Sequence, residues 1–155
     1  MSVASFVHGS CDFEKDLVGQ KYVLVQDLFL YQRNGPGNTT LSPPGRTSDV
    51  RPSVECYLAD PENWMHSEEA RSKCVSSDIH RVKILAVLPA GTQIRVSRFK
   101  KRKTALVGTF YTVYGTIEDP RFIDREVRFF ALFNGVGAGD FNPRPREEFL
   151  RPADS

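Results

Sequence analysis

The sequence predicts a mainly β fold: a small antiparallel barrel or a sandwich, with one short helix and a long Gly/Pro-rich loop. Three observations carry this expectation. Strand-like runs crowd between Val82 and Phe133 and are separated by turn residues. One stretch, Asn34 to Pro52, is dense in Gly, Pro, Ser, Thr and Asn. A single helix start stands out, where Asp60 can cap, Pro61 suits the first helical position and Glu62 suits the first turn.

Taken in order, residues 1–16 show no period and are expected to be a loose lead-in. Lys21 to Tyr31 is rich in β-branched and aromatic residues but too long for one ordinary strand, which predicts a bend near Gln26 and Asp27. Residues 34–53 are expected to be a mobile loop, because loops of that length are either functional or disordered. A short strand is expected at Val54–Leu58, then a surface helix from Asp60 to about Lys73, pinned by Trp64. Residues 134–155, punctuated by Pro143, Pro145 and Pro152, are expected to be an irregular tail.

Within the central block, Val82–Leu88 is an apolar run that turns at Pro89-Ala90-Gly91. Thr92–Ser97 then alternates, with Ile94 and Val96 on one side and Arg95 on the other. Thr109–Ile117 sets Tyr111, Val113 and Ile117 on one face and Phe110 and Tyr114 on the opposite one. Val127, Phe129, Ala131 and Phe133 share a face in the last run. Ile84, Leu88, Ile94, Val96, Val113 and Phe129 are the expected scaffold.

Length and composition bound the rest. The 155 residues fit a single domain, large enough to bury a core. A net charge of only +2 means that any anionic partner must be met by a local patch. No run approaches the ~20 apolar residues of a membrane-spanning helix. Met1–Ser10 has neither a basic nor a long apolar region and does not read as a signal peptide. Small residues before Cys11 make that cysteine a lipidation candidate, although His8 suits the pattern poorly. The three cysteines allow three pairings, each leaving one thiol over. Cys56 and Cys74 flank one compact segment and are the pair to join, by a bond worth about 3 kcal/mol in the chain-entropy model. That pairing implies an oxidising compartment, so a periplasmic or envelope setting is favoured. The alternative is small buried side chains in a cytosolic protein.

The strand ending at Leu88, the turn Pro89-Ala90-Gly91-Thr92 and the following Ile94-Arg95-Val96 resemble the opening of bacterial Src-homology-3-like domains. Val113–Ile117 and Glu126–Phe129 sit where later barrel strands would fall. The resemblance spans residues 82–133, implies a small closed barrel of bacterial type and transfers no functional residue. The tryptophan those repeats often carry is missing from this block.

The strongest charge feature is Arg98, Lys100, Lys101, Arg102 and Lys103 around Phe99. With Tyr111 and Tyr114 it forms the candidate binding surface. The expected function is a non-enzymatic module that recognises a protein or peptide partner. The alternatives are a single-strand nucleic-acid-binding barrel, whose cations would grip phosphates while rings stack on bases, and an enzyme with an unrecognised Cys/His site. A plain solvated hairpin whose lysines block edge pairing would carry the same residues. Cys56, His66, Cys74 and His80 have the right side chains for zinc but the wrong spacings, so no metal is expected. Gly135, Gly137 and Gly139 follow a strand, but Asp140 and Pro143 break the nucleotide-loop pattern, which leaves a flexible connector. No cofactor-binding or catalytic motif appears.

Overall fold

The computed structural model describes residues 12–33, 39–43, 58–67, 69, 82–106, 108–137 and 139–153. The fold is mainly β. Among the described residues, two short helices, α1 (Asp12–Leu17) and α2 (Pro61–His66), accompany ten strands. The strands are β1 (Lys21–Leu24), β2 (Leu28–Arg33), β3 (Thr39–Ser42), β4 (Val82–Leu88), β5 (Gln93–Thr104), β6 (Gly108–Ile117), β7 (Val127–Phe129), β8 (Phe133–Asn134), β9 (Arg144–Pro145) and β10 (Leu150–Pro152). Eight of them form one sheet in the order β10-β1-β5-β6-β7-β3-β2-β4, while β8 and β9 pair separately.

Connectivity dictates the shape of that sheet. β1 and β2 are five strand spacings apart, as are β4 and β5. In a flat sheet each gap would be roughly 24 Å. The extended chain from Leu24 to Leu28 reaches only about 14 Å, and that from Leu88 to Gln93 about 18 Å. The sheet therefore curls until its two ends approach each other. The two short links then bond together: Gly91 N–H donates to the Leu24 carbonyl (2.9 Å), and Leu24 N–H donates to Thr92 (2.9 Å). The Asp27 carboxylate accepts from Ala90 N–H at 3.0 Å. The bend expected near Gln26 and Asp27 is this corner.

The Src-homology-3-like barrel is not the architecture. β10 and β4 end the strand order without pairing to each other, so the sheet is open. It is also mixed, because β3 runs parallel to β7 through Thr40↔Arg128 and Leu41↔Phe129. The local turn that carries the resemblance is present, but its flanking strands β4 and β5 lie far apart in the sheet instead of forming a hairpin.

One apolar cluster fills the curl, drawing on both halves. Leu24, Leu28, Leu30, Leu41, Leu88 and Ile94 are fully buried, and the six expected scaffold residues are all in the interior. Tyr22 meets Phe133 edge-on at 5.8 Å, and burial raises the Tyr22 hydroxyl above its ordinary pKa. Gly115 has a steric role. A Cβ there would strike the Arg95 carbonyl oxygen and the Phe129 ring, so its bareness lets that ring lie on β6.

Several element boundaries differ from expectation. Thr39–Ser42, inside the expected loop 34–53, is a buried strand between β2 and β7. Residues 34–38 and 44–53 lie outside the described set. The tail supplies β9 and β10, with β10 closing on β1 by Tyr22↔Pro152 and Leu24↔Leu150. Asp60 caps α2 by accepting from Asn63 N–H at 3.2 Å, but Ser67 is extended, so α2 ends at His66 and not near Lys73. Leu58 is helical, and the remainder of the expected strand at 54–58 lies outside the described residues, as does the Trp64 side chain. The last central strand stops at Phe129 because Ala131 adopts φ 61°, a left-handed turn that ends pairing. No helix of the described residues is long and apolar enough to cross a membrane.

Replacing Gly115 with alanine is expected to destabilise the fold by about 1–3 kcal/mol, the ordinary cost of overpacking a core. Denaturant unfolding would show it as a lower midpoint. An unchanged midpoint would mean that both the Arg95 backbone of β5 and the Phe129 ring yield without cost.

Candidate functional site

The hairpin of β5 and β6 is the longest pairing in the sheet, from Ile94↔Ile117 to Thr104↔Gly108. Its outer half leaves the body of the sheet. β1 follows β5 only as far as Arg95, and β7 follows β6 only from Val113 to Gly115. A bulge at Ser97 then resets the side-chain alternation: Val96 opposes Gly115, but Arg98 opposes Tyr114. Phe99 consequently points inward beside Val113, while Arg98, Lys100 and Arg102 take the outer face with Tyr114, Thr112 and Phe110.

A two-stranded ribbon is marginal by itself, so it needs bracing. Phe99 and Tyr111, each only 8% exposed, anchor its inner face. Tyr111 meets Phe141 edge-on at 5.7 Å and its backbone N–H donates to Val136 (2.7 Å). Gly137 bridges to Phe110, and a Cβ on it would come within 2.8 Å of the Phe110 Cβ. The glycine run is therefore a fitted brace and not a free connector. Gly135, at φ 75°, lies so close to the Asn142 carbonyl that only glycine fits.

On the outer face five side chains form a chain. Arg98 Nε donates to both Glu126 oxygens (3.1 and 3.0 Å) and Nη2 donates to Oε1 at 2.8 Å. Ser97 Oγ adds a fourth hydrogen bond to Glu126 at 3.1 Å. The Arg98 guanidinium covers the Tyr114 ring, 4.2 Å from its centroid, and the Tyr114 hydroxyl accepts from Arg102 Nη2 at 3.0 Å. Hydrogen bonding from Arg98 holds the Glu126 carboxyl below its usual range, and the same contact raises Arg98.

The charge pattern beyond Arg98 is different. Arg95, Arg98, Arg121, Arg144 and Arg146 each face a carboxylate within 4.0 Å. Lys100, Lys101 and Lys103 are exposed and make no ion pair or hydrogen bond to a described residue, and Arg102 meets only the neutral Tyr114 hydroxyl. Positive charge is thus concentrated on both faces of the outer ribbon. At its end Leu106 is 97% exposed.

Of the sequence candidates, Arg98, Lys100, Lys101, Arg102, Lys103 and Tyr114 come together on one ribbon. Phe99 and Tyr111 lie inside, because the bulge sets the parity. Cys11, Cys56, Cys74, His8 and His80 lie outside the described residues, as does the His66 side chain. Among the described residues no group of three metal-ligating side chains converges. A feature that the sequence did not signal lies beside the ribbon: a cavity of about 280 Å³ between β6 and the chain that leaves β7, with Arg128 in its wall. Its residues come from separate strands, with nothing in their spacing to connect them. Neither a family model, a curated protein nor a solved structure matches this chain.

The lowered Glu126 value fixes a sign. Its contribution to stability is complete above the ordinary carboxylate range and is lost as pH falls through the lowered value. Glu126→Gln is expected to remove that part of the acid-side loss, seen as a shallower fall in unfolding midpoint with acidification. The effect is small, because the pair is more than a third exposed and screened. An identical pH profile would show that the contact holds nothing.

Proposed function

We propose that the protein is a binding module whose outer β5–β6 ribbon docks on an acidic protein or peptide surface. The observation that supports this reading is the contrast in charge pairing. Five arginines, Arg95, Arg98, Arg121, Arg144 and Arg146, each face a carboxylate, whereas Lys100, Lys101 and Lys103 crowd onto four positions of one braced ribbon with no carboxylate among the described residues. Unmatched cations on a rigid support attract and orient an anionic partner. The exposed Leu106 adds an apolar contact at the end of the ribbon.

A single-stranded nucleic acid is a weaker match. Binding of that kind uses open rings on which bases stack. Here Phe99 and Tyr111 are buried, and Tyr114 is already covered by Arg98.

Lys100→Glu, Lys101→Glu and Lys103→Glu combined are expected to weaken binding of a short poly-glutamate peptide by about tenfold or more, with the unfolding midpoint unchanged. Equal binding by the triple variant and the parent would sink the assignment. An oligo(dT) bound more tightly than an abasic strand of the same charge would favour the nucleic-acid reading instead, because only stacking separates those two probes.

A further inference from the structure

We propose that the cavity containing Arg128 is a binding site for a small molecule with an apolar body and one carboxylate. The cavity follows from the path of the chain. β7 pairs with β6 only from Val113 to Gly115. At Phe130 the backbone turns to the Leu41 carbonyl (2.9 Å), and Ala131 takes its left-handed turn. The chain returns to β6 only at Val136 and Gly137, where it meets Tyr111 and Phe110. The space lies between departure and return and is partly open to solvent.

Its walls define the ligand. Phe110, Phe129, Phe130, Phe133, Val113 and Val136 make them mostly apolar, and the volume of about 280 Å³ lies just below the ~300–1,000 Å³ of drug-sized sites. Arg128 is the one charged residue lining it. Its side chain has no carboxylate partner among the described residues; it rests 5.3 Å from the Phe130 ring centroid. A guanidinium keeps its charge at any physiological pH and offers a planar fork suited to a carboxylate. One unmatched, half-buried cation in a partly open, mostly apolar cavity favours a single negative charge over a phosphate dianion, and rings or short aliphatic chains over polar bodies. The site shares β6 with the ribbon, but the ribbon's lysines do not line it.

Titration of the full chain with 3-phenylpropanoate and with its neutral counterpart 3-phenylpropan-1-ol, followed by amide NMR, tests the assignment. The acid is expected to move amides of residues 110–113 and 128–136 and to bind about tenfold tighter than the alcohol, the scale of one charge-assisted contact. Arg128→Gln should bring the two affinities together, while the remote Arg151→Gln keeps them apart. Val136→Trp, which fills the cavity from a half-buried position, should abolish both. The proposal is overturned by equal affinities in the parent protein, by no binding of either compound, by shifts confined to other residues, or by unaltered binding to Val136→Trp.

Discussion

Two chain segments of three and four residues, Val25–Asp27 and Pro89–Thr92, govern this structure. Each must carry the chain between strands that a flat sheet would hold too far apart. The hydrogen bonds of Leu24, Asp27, Ala90 and Gly91 fasten one link to the other, so both constraints are met at a single corner. The tail joins there too, with Val25 N–H donating to the Phe149 carbonyl and Gln26 Nε2 to that of Glu148. From this corner follow the curl, the single apolar cluster inside it and the outward projection of the longest hairpin.

The projecting hairpin carries bracing groups and unpaired cations over the same stretch. It is held by groups that satisfy one another: Glu126 with Arg98, Tyr114 with Arg102, Tyr111 with Phe141 and Val136. Interleaved with these groups on β5, Lys100, Lys101 and Lys103 have no counter-charge among the described residues. A partner meeting them would encounter a ribbon already ordered, so less of the interaction would be consumed in fixing its shape. The support and the proposed contact surface are interleaved residues of one hairpin.

Much of the scaffold could be read from residue order. β4 begins and ends where the apolar run Val82–Leu88 does, and the alternation of Ile94 and Val96 against Arg95 appears unchanged in the burial of β5. The α2 cap was visible in Asp60-Pro61-Glu62. β3 was not visible, because Thr39-Thr40-Leu41-Ser42 has a single strongly apolar residue amid turn formers and owes its place to β2 and β7. β10 was hidden by Pro152, which an edge strand tolerates. The likeness to a small closed barrel failed because a local turn motif records nothing about which strands it will separate. At the site, the cations could be counted in the sequence but their pairing could not. Glu126 lies far along the chain from Arg98, and only the folded register brings them together.

The bulge at Ser97 has an effect out of proportion to its size. A strict alternation continued from Ile94 and Val96 would send Arg98, Lys100 and Arg102 toward the interior and Phe99 toward water. One additional backbone residue inverts the phase, so a phenylalanine joins the core while the guanidinium groups stay hydrated. The inside-outside identity of the whole projecting arm is therefore set by a parity bit. An insertion or deletion at that one position would exchange its two faces without altering a single side chain within it.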